Sequence, residues 1–231
     1  MLRYQKWKDN RKGELMVRLL SMGIEIFSSV IFVIPAGVIL QYVVFRQRSL
    51  SRLAAVTVFL FYLIVVFSVV GIPTVNSWHI HPEFNWVPLI DIVNSPLDYI
   101  RNTILNLILF VPLGFIVPTT WKEYRSLRTV ALMGLALSLF IEILQIFTFR
   151  LTDVDDLITN TAGCVLGFYI ARLFSYRLPL GPGKHAPKDC GRYEPVIILA
   201  AAFLIGFCLK SFVSDIIWDK VLSSPLWEAI K

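Results

Sequence analysis

Acidic and amide side chains set inside apolar stretches are the residues of this chain best suited to chemistry. Between residues 127 and 149, Ser138, Glu142 and Gln145 fall at i, i+4 and i+7, one face of a helix. Arg150, Asp153, Asp155 and Asp156 follow at once. Asp156, Asn160, Gly163 and Gly167 then repeat at i, i+4, i+7 and i+11, a second single stripe. Asn102 and Asn106, four apart, share a face upstream. A carboxylate in an apolar helix needs a partner, a proton or water. Glu142 is therefore a candidate general acid or base, and alternatively a structural partner for Arg150. Asp153 and Asp156 suit a hard divalent cation, or else, with Asp155, they cap the helix that follows. Asn102, Asn106, Gln145 and Asn160 are candidates to orient a polar substrate group, with interhelical hydrogen bonding as the plainer reading. Gly163 and Gly167 read as helix-packing positions, since small residues let helices approach.

The elements that carry these residues follow from composition. Of 231 residues, 56% are hydrophobic and 16% charged. The mean hydropathy is +0.69. Soluble domains hold about 45–50% apolar and about 25% charged residues, so an ordinary soluble enzyme and a disordered chain are both excluded. A bilayer core of about 30 Å needs about 20 apolar residues per helix. Six stretches qualify, at 22–45, 53–72, 102–121, 127–149, 157–174 and 196–213. None alternates with period two, as a membrane barrel would. The expected fold is all-α, a polytopic integral membrane protein of about six transmembrane helices. The basic tail before residue 22 and the length of the first apolar stretch argue against a cleavable signal peptide. Cys164, Cys190 and Cys208 are odd in number and lack CxxC spacing, and so read as small apolar fillers. His79, His81 and Glu83 are more simply loop residues than metal ligands, and Glu25 receives no role.

The net charge of +6 comes from 22 Lys and Arg against 16 Asp and Glu. Basic residues gather in alternate connections. Arg46, Arg48 and Arg52 follow the first span, Lys122, Arg125 and Arg128 the third, and Arg172, Arg177, Lys184, Lys188 and Arg192 the fifth. The positive-inside rule places these connections in the cytoplasm and the acidic, amide-rich cluster near the outer surface. Nothing calls for nucleic acid. The N-terminal tail, with Arg3, Lys6, Lys8, Arg11, Lys12 and Arg18, opposes that orientation. Either Pro35 and Gly37 break the first stretch into a re-entrant hairpin, or the tail is exported. A full crossing is favoured, since its 24 residues make about 36 Å of helix.

The ordered set Asn85-x2-Pro88, Asn106-x3-Phe110-x-Pro112-x-Gly114, Glu142-x2-Gln145 and Arg150-x2-Asp153-x2-Asp156-x3-Asn160-x2-Gly163-x3-Gly167 resembles the VanZ-like family. That family is known for an accessory teicoplanin-resistance protein. The resemblance covers residues 53–174, which it makes a four-helix VanZ-like domain. Around it lie a basic tail (1–21), an extra apolar span and basic loop (22–52), a Pro/Gly-rich linker (175–195) and a C-terminal span and tail (196–231). It implies a multi-pass protein of the bacterial cytoplasmic membrane that serves the cell envelope. By analogy with small membrane enzymes, it suggests action on the head group of a lipid or lipid-linked envelope precursor. Glu142, Asp156 and Arg150 would then be catalytic, Asn102, Asn106, Gln145 and Asn160 would bind substrate, and Asp153 with Asp156 would hold any divalent cation. The competing expectation is a non-catalytic accessory protein that binds a lipid or a partner helix. A transporter fits less well, because the polar residues gather at one end of the spans and not at the midplane.

Overall fold

Apolar runs this long can satisfy their backbone in lipid only by closing hydrogen bonds within each segment. The computed structural model describes residues 11–77, 84–85, 95–148, 152–174, 190–224 and 227, and the long helices follow that rule. They are α1 (Arg11–Val43), α2 (Leu50–Val70), α3 (Pro96–Thr120), α4 (Leu127–Gln145), α5 (Val154–Phe174) and α6 (Cys190–Leu222). All six include a segment long and apolar enough to cross a membrane, so the chain is an all-α polytopic membrane protein. A short 3-10 turn, Lys122–Tyr124, joins α3 to α4. Two residues of the long connection after α2, β1 (Phe84–Asn85), pair in parallel with β2 (Thr152–Asp153).

The helix ends carry local causes. α2 stops at Gly71, whose φ of +72° is the left-handed conformation that glycine adopts without steric cost. α3 begins with Pro96 at its first turn, followed by Asp98. It therefore starts six residues before Asn102. A search for apolar stretches misses such a polar first turn. Ser126 caps α4 by accepting the Thr129 N–H at 3.2 Å. α1 runs unbroken through Pro35 and Gly37, so the re-entrant hairpin does not form.

α3 and α5 pack most extensively against each other. Glycine makes this possible. A Cβ added at Gly163 would strike the Leu107 carbonyl oxygen, one at Gly167 the Val111 oxygen, and one at Gly114 the Cys164 oxygen. α4 lies against α5, and α2 links this group to the α1–α6 pair. The core joins Phe59, Leu63, Phe110, Leu113, Leu137 and Cys164 across four helices.

α2 ends, α3 begins, α4 ends and α5 begins at one end of the bundle. The opposite end holds a buried polar knot. Arg52 of α2 pairs with Glu194 of α6 at 2.6 Å, both side chains 2% exposed. Arg52 also donates to the Thr120 carbonyl oxygen, and its guanidinium lies 5.1 Å from the Trp121 ring centre. Gln41 of α1 donates to the second Glu194 oxygen at 3.0 Å. Beside this knot the Tyr124 hydroxyl donates to the Arg192 carbonyl at 2.9 Å. Burial holds that phenol above its ordinary value, with Arg192 opposing the shift and Glu123 adding to it. Arg52, read in sequence as a loop charge, is thus an interior residue.

Candidate functional site

Where α3 and α5 begin and α4 ends, the structure encloses a cavity of about 640 Å³. Asn102, Asn106, Glu142, Gln145, Asp156 and Asn160 all line it, and Asp153 joins them. Three helices and 58 residues of chain, from 102 to 160, separate the outermost of these in sequence. The cavity grades from open to closed. Asp98 and Asn102 at its rim are exposed, Asn106, Asp153 and Asp156 are half-buried, and Glu142, Gln145 and Asn160 are buried.

Hydrogen bonds fix the deeper groups. Glu142 Oε2 accepts the Asp153 N–H at 3.0 Å, tying the end of α4 to the entry of α5. Asp153 Oδ1 accepts the Asp155 N–H at 3.0 Å. Asp153 immediately precedes Val154, so this is an N-cap bond on α5. Asn106 Nδ2 donates to Asp156 Oδ1 at 2.5 Å across the α3–α5 contact. Asn160 Nδ2 donates to the Ser138 hydroxyl at 2.9 Å. The Ser138 hydroxyl in turn reaches the Asp156 carbonyl at 3.4 Å.

Two buried acceptors point to incomplete satisfaction. Among the described residues, Gln145 Oε1 and Asn160 Oδ1 meet no hydrogen-bond donor, although their residues are only 7% and 4% exposed. A buried amide oxygen without a donor costs about 1–3 kcal/mol. Such a cost is commonly met by water or by a ligand.

Other expectations meet the structure unevenly. Asp153 acts as a helix cap and Asp156 as an acceptor for Asn106. Among the described residues, no group of three His, Cys, Asp or Glu side chains is placed to hold a metal ion. Arg150, and with it the Glu142–Arg150 pair, lies outside the described residues, as do His79, His81 and Glu83. Gly163 and Gly167 sit in the α3–α5 contact.

The structure adds residues that the spacing did not mark. Ser95, Asp98 and Tyr99 line the cavity because α3 starts early. Pro96 followed by Asp98 was the available signal. The backbone of Asn85 stands in register with that of Asp153, which brings Asn85 to the cavity's edge.

Comparison with known proteins gives a consistent placement. Residues 59–175, just over half the chain, match the family described as VanZ/LLP1. A stretch of 68 residues is 44% identical to Protein VanZ of Enterococcus faecium. That stretch is 29% of this chain and 42% of the relative, so less than half of the relative is spanned. No solved structure matches.

Proposed function

Because the chain belongs to the VanZ/LLP1 family, we propose that this multi-pass membrane protein serves the bacterial cell envelope and acts on the head group of a lipid or lipid-linked envelope precursor. The cytoplasmic membrane is its proposed location, with the cavity facing outward and a role of the teicoplanin-resistance type. The alternating basic connections support the orientation. The observation that carries the chemical reading is the deep wall of the cavity. There a buried carboxylate, Glu142, stands beside two amide oxygens, of Gln145 and Asn160, that lack donors among the described residues.

A head group rich in hydroxyl or amine donors would complete those acceptors. Glu142, oriented through the Asp153 N–H, would take a proton from such a donor or return it. Asp156, held by Asn106, would align the same group. Asn102 at the open rim would meet the ligand first.

Glu142→Gln and Asp156→Asn keep shape and remove charge. The enzyme reading expects both variants at normal membrane abundance, with the envelope phenotype lost. It also expects the lipid profile by mass spectrometry to revert to that of cells lacking the protein. Full activity in both would eliminate the catalytic roles. A reporter fused after Asp155 tests the orientation, and a cytoplasmic signal there would refute the outward-facing cavity.

A second reading, a non-catalytic accessory protein that binds a head group or partner helix, draws on the structural bonds already made by Asp153 and Asp156. It expects binding to weaken in these variants while no lipid changes its covalent structure in their presence or absence.

A further inference from the structure

α1 and α6, the helices outside the family match, build a second polar cavity at the same end of the bundle as the first. It is an open cleft of about 580 Å³ between α1, α6 and the turn that follows α2. Lys210 Nζ stands 3.1 Å from Glu25 Oε2 at its wall. Along α6, Lys210, Ser211, Ser214, Asp215 and Trp218 recur at i, i+1, i+4, i+5 and i+8, one stripe of the helix. Facing them, the Thr74 and Ser77 hydroxyls lie 2.7 Å apart. Asn76 Nδ2 reaches the Ser211 hydroxyl at 3.4 Å. Lys210, Thr74, Ser211 and Ser214 are all buried.

An ion pair serving only to fasten α1 to α6 would gain from dense packing around it, because water weakens the attraction. This pair instead borders a cavity of the size that takes small ligands. Among the described residues, the charges at the wall are one cation, Lys210, and two carboxylates, Glu25 and Asp215. A bare anion meets net repulsion there, and a bare cation competes with Lys210. A ligand carrying both charges meets neither obstacle. Its phosphate would take the remaining Lys210 donors and the serine hydroxyls, and its ammonium would lie between the carboxylates. Trp218 borders the cavity, as aromatic rings do where spans meet head groups. We propose that this cavity binds a zwitterionic head group that joins an ammonium to a phosphate. The assignment is independent of the chemistry proposed at Glu142.

Native mass spectrometry of the full chain, given equal amounts of phosphatidylethanolamine and phosphatidylglycerol, tests this. The unaltered protein should retain the ethanolamine lipid with about tenfold preference, the size expected from one charge-assisted bond. Asp215→Asn, at an exposed position, and Lys210→Met should each abolish the preference, and Glu142→Gln should keep it. Excess free phosphoethanolamine should displace the lipid, and glycerol phosphate should not. Equal retention of the two lipids, or a preference unchanged in Asp215→Asn, overturns the proposal. So does loss of the preference in Glu142→Gln, which would place the lipid in the first cavity. A lipid that free phosphoethanolamine cannot displace would be held by its acyl chains, and that result also overturns it.

Discussion

Asp153 acts through two different atoms. Its side chain caps α5, and its backbone N–H holds Glu142 in place. Substitution separates these functions, since any residue except proline keeps the N–H. Asp153→Asn preserves the cap, because asparagine caps as well as aspartate. Asp153→Ala removes it, at a cost of about 1 kcal/mol. Thermal unfolding of the purified protein should therefore rank the original and Asp153→Asn together, with Asp153→Ala below both. An Asp153→Asn protein that lost the envelope phenotype at full stability would show that the carboxylate charge itself is needed.

At the scale of the element, the α3–α5 contact fixes how far apart the two sides of the cavity stand. Asn106 and Asp156 meet because the glycines two and three turns deeper on α5 leave no side chain between the helices. Gly167→Ala would push a methyl group onto backbone atoms of Val111 and Gly114, which cannot rotate away. Overpacking of this kind costs about 1–3 kcal/mol. A Gly23→Ala change in α1 meets nothing within 4 Å. It should hold or slightly raise the melting temperature, as alanine favours helix over glycine. If both variants melt alike, close approach is not what Gly167 provides.

Much of this level was legible in the sequence. Period 3.6 put Glu142 beside Gln145, and Asp156 in line with Asn160, before any packing was known. The start of α3 was less legible, because hydropathy averages over the polar turn at Pro96–Arg101.

The whole molecule is closed by contacts that no local pattern announces. Glu25 and Lys210 are 185 residues apart, and Arg52 and Glu194 are 142 apart. In sequence each was an isolated charge, and Arg52 looked like one more basic loop residue. Only the folded arrangement shows that α6 is secured by two ion pairs, to α2 through Arg52 near its start and to α1 through Glu25 beyond its middle. Glu194→Ala would leave Arg52 charged and buried, at a cost of about 3–5 kcal/mol. Membrane abundance should fall sharply. Combining it with Arg52→Met should recover much of the loss, because the stranded charge is then gone. A double variant as scarce as the single one would show that the packing of α6, and not its charge, holds the bundle together.

The Arg52–Glu194 pair also implies an order in time. A ribosome makes Arg52 long before Glu194, so the second helix enters the membrane with that cation uncompensated. In the proposed orientation, Arg52 counts during synthesis among the basic residues that retain a segment in the cytoplasm. When α6 arrives, Glu194 neutralises it. One side chain would then serve first as a signpost for the growing chain and later as a clasp for the finished one.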